Sequence, residues 1–242
     1  MSCFLTNSSV GKKLVMSITG CFLVLFLLFH MSMNLTMLFS YEAYNAVCEF
    51  LGANWYALVA TVVLAAGVVV HFIYAFILTI NNYRARGTQR YAVTVKEKGV
   101  AWASKNMLVL GIIVVLGLGL HLFNFWANMQ LPEILHKLGM HVEPAVMENV
   151  ANGSGYIART FTCPVYAALY VVWLAALWFH LTHGFWSAMQ TLGINNKVWF
   201  CRWKAIGNVV VTLIILGFFA VVVAGFFGFG ALGTIECAGA CC

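Results

Sequence analysis

The chain has 242 residues, of which 63% are hydrophobic and 8% charged, and it contains no aspartate. Soluble domains carry roughly 25% charged residues, so the composition excludes a water-soluble domain. The formal net charge of +6 then points to lipid headgroups and a cytoplasmic partner rather than to nucleic acid.

Five runs exceed the ~20 apolar residues a bilayer crossing needs: 13–39, 55–80, 105–129, 161–189 and 204–229. They predict an all-α integral membrane protein of one domain, spanning 1–242. The first run follows Lys12 and Lys13. It is longer than the apolar core of a signal peptide and no small-residue cleavage site follows it, so it is expected to stay in the chain. It carries His30 and Cys21, and the connection after it carries Glu42 and Glu49. The second run carries Gly67 and His71. Connection 81–104 holds charges of both signs, the turn signal Arg86-Gly87-Thr88, and Tyr83 and Trp102 at its ends, where aromatic rings suit the headgroup layer.

The third run carries His121. Connection 130–160 contains Pro132, Pro144 and Asn152-Gly153-Ser154-Gly155, which predict a short amphipathic piece over 132–138 followed by turns. His136 and His141 in this stretch are expected to be solvated. The fourth run should begin near Pro164, because a first helical turn tolerates proline. It carries His180, His183 and Gly184. The fifth has no histidine and is expected on the outside of a bundle made by the first four. Cys21 and Cys163 read as small apolar residues within helices. The terminal Cys237, Cys241 and Cys242 suit either disulfides in an oxidising compartment or an unstructured end.

Eleven of the thirteen basic residues fall before the first run or between the second and third and the fourth and fifth; Lys137 and Arg159 fall opposite. The positive-inside rule then puts the N-terminus in the cytoplasm and the C-terminus outside.

A histidine in the hydrocarbon core is costly and faces the bundle interior with a partner. Here four lie in four different runs. His30 is 17 residues beyond Lys13 and His121 is 16 beyond Lys105, which at 1.5 Å per residue puts both ~25 Å from the inner boundary. His71 is 10 residues before Asn81 and His183 is 10 before Gly193, an inner level at ~15 Å. Two pairs at two depths read as axial ligands of two haems b, the inner on His71 and His183 and the outer on His30 and His121. His180, one turn from His183, is an alternative ligand; depth favours His183. No C-x-x-C-H is present, and non-covalent haem needs none.

Ser17-Ile18-Thr19-Gly20 before His30, Ala85-Arg86 and Tyr91 after His71, Ser104-Lys105-Asn106-Met107 before His121, and His183-Gly184-Phe185-Trp186-Ser187-Ala188 with Leu192-Gly193 together resemble the di-haem cytochrome b membrane subunits of succinate dehydrogenases and fumarate reductases. The resemblance covers all five runs. It implies two haems b, a cytoplasmic flavoprotein subunit and iron–sulphur subunit as partners, a dimer of such heterotrimers, and electron transfer with a membrane quinone, menaquinone expected. A bacterial cytoplasmic membrane location goes with it. It also implies an outer carboxylate handling quinone protons, for which Glu49 is the candidate, the other reading being a solvated loop residue. Some relatives carry a glutamate where His180 stands, so His180 is a candidate proton relay. Ser17 and Asn106 are candidate contacts to a haem propionate, or bridges between helices. The rival readings are the cytochrome b of a hydrogenase or formate dehydrogenase, a transporter with histidine proton relays, and a structural anchor without cofactor.

Overall fold

The computed structural model describes residues 8–86, 102–194 and 196–228. Among them there is helix and no strand, and five helices are long and apolar enough to cross a membrane. The chain is an all-α, multi-pass membrane protein. Arg90, Tyr91, Lys96 and Lys98 of the basic connection and the C-terminal cysteines lie outside the described residues.

The first span, α1 (Ser9–Leu35), starts on Ser8, whose hydroxyl accepts from the Gly11 N–H at 2.8 Å, and ends in a 3-10 turn, Thr36–Leu38. Next comes α2 (Tyr41–Ala53), capped by the Ser40 hydroxyl on the Ala43 N–H at 3.1 Å. The second span, α3 (Trp55–Arg86), continues six residues past the expected end at 80, because Asn81, Asn82 and Tyr83 are polar or amphipathic without being helix breakers. A short α4 (Trp102–Lys105) leads into the third span, α5 (Met107–His121), which passes directly into a π turn at Leu122–Trp126.

On the expected outer side lie α6 (Gln130–Lys137), α7 (Pro144–Met147) and α8 (Gly153–Phe161), the last capped by Asn152 accepting from the Gly155 N–H at 3.1 Å. The fourth span, α9 (Pro164–Thr191), has proline in its first turn as expected. It closes at Gly193, whose φ of +75° lets the Ile194 N–H return to the Met189 carbonyl at 3.2 Å. The fifth span, α10 (Trp199–Phe227), starts five residues earlier than read from the sequence.

The centre of the bundle is α1, α9 and α10, which pack on one another; α3 leans on α1, and α5 on α9. About 33% of the most apolar stretch of α9 and of α10 is buried, against 0% for α3. This corrects the expectation that the fifth span is peripheral. Its lack of histidine says nothing about packing, because helices in lipid associate through close approach at small residues. An added Cβ at Gly207 would strike Phe185, at Gly217 it would lie 2.5 Å from Met31 Sδ, and at Gly225 2.8 Å from Phe161 Cβ. Three glycines therefore seat α10 on α9, α1 and α8.

The end of the bundle where the first span ends and the fourth begins is closed by α2 and α8. Asn45 Oδ1 accepts from the Ser154 N–H at 2.9 Å, while Met37, Tyr44 and Ile157 fill the space beneath and are buried. Cys163, the N-cap of α9, is disulfide-bonded. This corrects its reading as an unpaired apolar residue within a helix: it sits at the helix end, where a thiol can reach a partner.

Candidate functional site

Histidines from α1 and α5 meet inside the bundle. The rings of His30 and His121 stand with centroids 5.8 Å apart and planes at 80°. Phe26 stacks on His30 at 5.4 Å and Phe218 flanks it at 5.6 Å. Phe125 and Trp173 pack on His121 at 5.2 and 5.8 Å. Trp173 is itself held by its Nε1–H donating to the Val114 carbonyl at 3.1 Å, and Gly117 leaves the room its ring occupies. The π turn begins directly after His121, and such bulges are rare and concentrate at functional sites.

The second group lies on α3 and α9. His71 faces His180, ring centroids 6.5 Å apart, whereas the depth count pairs His71 with His183. His183 packs against Trp186 at 5.1 Å. The Nδ1 atoms of His180 and His183 are buried without a hydrogen-bond partner, a state that native structures rarely leave unexplained.

Thr19 orients His71. Its Oγ1 lies 3.1 Å from His71 Nδ1 while its hydroxyl donates to the Val15 carbonyl at 2.9 Å. With that proton committed, Thr19 accepts from Nδ1–H, and we assign the His71 lone pair to Nε2. Gly20 makes the approach possible, since a Cβ there would lie 3.3 Å from His71 Cε1. Sequence reading placed Thr19 in a motif but gave it no role; its position about three turns before His30, inside an apolar run, was the available signal.

The remaining expected residues fall elsewhere. Ser17 is buried but donates to the Lys13 carbonyl of its own helix at 2.9 Å, and Asn106, between α4 and α5, donates back to the Trp102 carbonyl of α4 at 2.9 Å. Glu49 is exposed on α2, and His136 and His141 are exposed as expected. Among the described residues no three metal-ligating side chains converge, so any centre here rests on pairs.

A polar group that the sequence did not single out lies just beyond the third span. Gln130 Oε1 accepts from Thr61 Oγ1 at 3.1 Å and from Trp126 Nε1 at 3.0 Å. One turn on, Glu133 is only 8% exposed and its Oε2 has no partner. Burial pushes its carboxyl up from the usual range, with Lys137 working against the shift.

No family model, curated protein or solved structure matches the chain. The chain's class is therefore that of an all-α membrane protein with paired intramembrane histidines, and its function is argued from that geometry.

Proposed function

We propose that the chain is the di-haem cytochrome b subunit of a succinate:quinone oxidoreductase, anchoring a flavoprotein and an iron–sulphur subunit at the cytoplasmic face of a bacterial inner membrane. The observation that carries this is the pairing of imidazoles from different helices, His30 with His121 and His71 with His180. Two imidazoles gripping one iron from opposite faces have centroids on the order of 6 Å apart, given metal–nitrogen bonds of roughly 2 Å. The donor chemistry fits as well, because neutral imidazole is a good axial ligand for haem iron.

When bound, haem b would supply one-electron transfer, held by His30 with His121 and by His71 with His180. The chain's residues do the rest. Thr19 and Gly20 hold His71 in one tautomer and orientation, the kind of outer support that sets ligand basicity. Phe26, Phe218, Phe125 and Trp173 keep the outer pair dry. The two pairs at different depths support electron passage between cytoplasmic clusters and a quinone, menaquinone in our reading, near the outer rim.

The crowding of His71 and His180 with the nearby His183 favours a second reading, a proton-coupled transporter. One experiment separates the two. The purified complex should give a reduced-minus-oxidised haem b spectrum with two haems per chain and a co-purifying flavoprotein; colourless protein would sink the cytochrome reading.

A further inference from the structure

We propose that the turn between α9 and α10 seats the headgroup of one anionic phospholipid, whose acyl chains run along the exposed face of α10. No histidine is used, so the proposal stands apart from the cytochrome reading.

The turn forms a cavity of about 420 Å³ lined by Gly193, Ile194, Asn196, Trp199 and Trp203. Its walls are held from within. Trp203 Nε1–H donates to the Ile194 carbonyl at 2.9 Å, which ties an indole of α10 to the backbone leaving α9. Asn196 Oδ1 accepts from the Val198 and Trp199 N–H groups at 3.0 and 2.8 Å, so the start of α10 is already satisfied. Trp199 and Trp203 stand with ring centroids 5.5 Å apart. Indoles settle at the headgroup layer because they are apolar at one end and hydrogen-bonding at the other.

Charge sets the sign of the ligand. Arg202 lies over the Trp199 ring, its guanidinium carbon 5.3 Å from the centroid, and Lys197 adjoins Asn196 in the turn; both are exposed. A guanidinium stacked by its face keeps its edge donors free, and these match the oxygens of a phosphate. No acidic residue stands between Glu148 and Glu236 in the sequence to oppose them.

Length sets the ligand's kind. Beyond Arg202 the same side of α10 presents Ile206, Val209, Leu213 and Leu216, at steps of four, three, four and three residues, all exposed. From Ile206 to Leu216 the rise is ~15 Å, half of a ~30 Å hydrocarbon core. The apolar depth of one leaflet thus adjoins a cationic, indole-lined head. A free phosphate would use only the cavity, and a soluble acidic protein only the surface outside the membrane; a phospholipid uses both.

Native mass spectrometry of the full chain in neutral detergent tests this, with phosphatidylglycerol and phosphatidylcholine added in turn. One phosphatidylglycerol should stay bound, more tightly than phosphatidylcholine by about tenfold or more. Arg202→Gln and Lys197→Gln should each weaken it about fivefold, and the double variant about 25-fold. Arg159→Gln, which removes an exposed charge near the opposite end, should match the parent. Val209→Ala with Leu213→Ala should weaken phosphatidylglycerol yet keep its preference over phosphatidylcholine. Inorganic phosphate should fail to displace the lipid. Equal affinity of the parent for the two lipids, parental binding by the double variant, or displacement by inorganic phosphate overturns the proposal. So does a double variant that keeps the lipid but loses a co-purifying soluble protein, which would make the patch a protein contact.

Discussion

Asn34 lies one turn beyond His30 on α1 and turns its amide back over it: Nδ2 donates to the His30 carbonyl at 2.8 Å and stands 3.4 Å from Nδ1. Tyr44 of α2 donates to the other end of the amide at 3.2 Å. A helix outside the membrane spans is thereby tied to the setting of a histidine inside them. Removing such outer support typically costs 10–100-fold in metal affinity. On the cytochrome proposal, Asn34→Leu should weaken the haem site proposed at His30 by about that factor in a haem titration. Unchanged affinity would mean that Phe26 and Phe218 alone fix the ring.

The inner group gives a sharper contrast. Because His180 and not His183 stands at 6.5 Å from His71, His71→Ala and His180→Ala should each abolish the same haem centre. His183→Ala should retain both. Spectra of the three variants check this, and loss of a centre in His183→Ala alone would restore the pairing expected from depth.

Gly117 and Gly119 lie two residues apart and should respond oppositely to alanine. A Cβ at Gly117 would overlap Trp173, whose indole is hydrogen-bonded to Val114, while one at Gly119 meets nothing within 4 Å. Gly117→Ala should destabilise the protein by about 1–3 kcal/mol, the usual cost of overpacking, and should perturb the outer centre through His121. Gly119→Ala should be neutral in both thermal denaturation and spectrum.

Thiol labelling reads both burial and sidedness. Burial drives the Cys48 thiol up to about 11, only partly opposed by hydrogen bonds from Tyr44 and the Gly153 backbone. Its thiolate is therefore scarce at pH 8 and grows about tenfold per unit as pH rises toward that value. A maleimide at pH 8 should modify exposed Cys201 and spare Cys48, with Cys48 labelling climbing only in strong alkali. In oriented vesicles an impermeant reagent should reach Cys201 from the cytoplasmic side only; labelling from the outside would reverse the assigned topology.

The five spans were readable because each needs a long apolar run, and that constraint is one-dimensional. What escaped depends on lateral direction. The fifth span looked peripheral although Gly207, Gly217 and Gly225 mark its contacts. A small residue reads equally well as lipid-facing until its neighbour is known. Helix α2 has Ser40 as a cap and Tyr44, Val47, Cys48 and Leu51 at helical spacing, but Glu42 and Glu49 give the same stretch the polarity of a solvated connection. The His30 and His121 rings do meet. Residue counting carries no lateral information, so it could not show that the ring His71 faces on α9 is that of His180. Glu133 gave no sequence signal, since its burial comes from Gly52, some eighty positions earlier.

The wide turn after His121 carries one residue more than an ordinary helix would hold, and each residue swings the chain by about 100°. Deleting one position there would leave all the imidazoles and their neighbours in place on paper. It would also rotate Trp126 and Gln130 together out of phase with His121 and carry Gln130 off Thr61, severing the interior from its rim. In this chain, spacing between the lipid core and the water boundary is thus a matter of angular phase as much as of length.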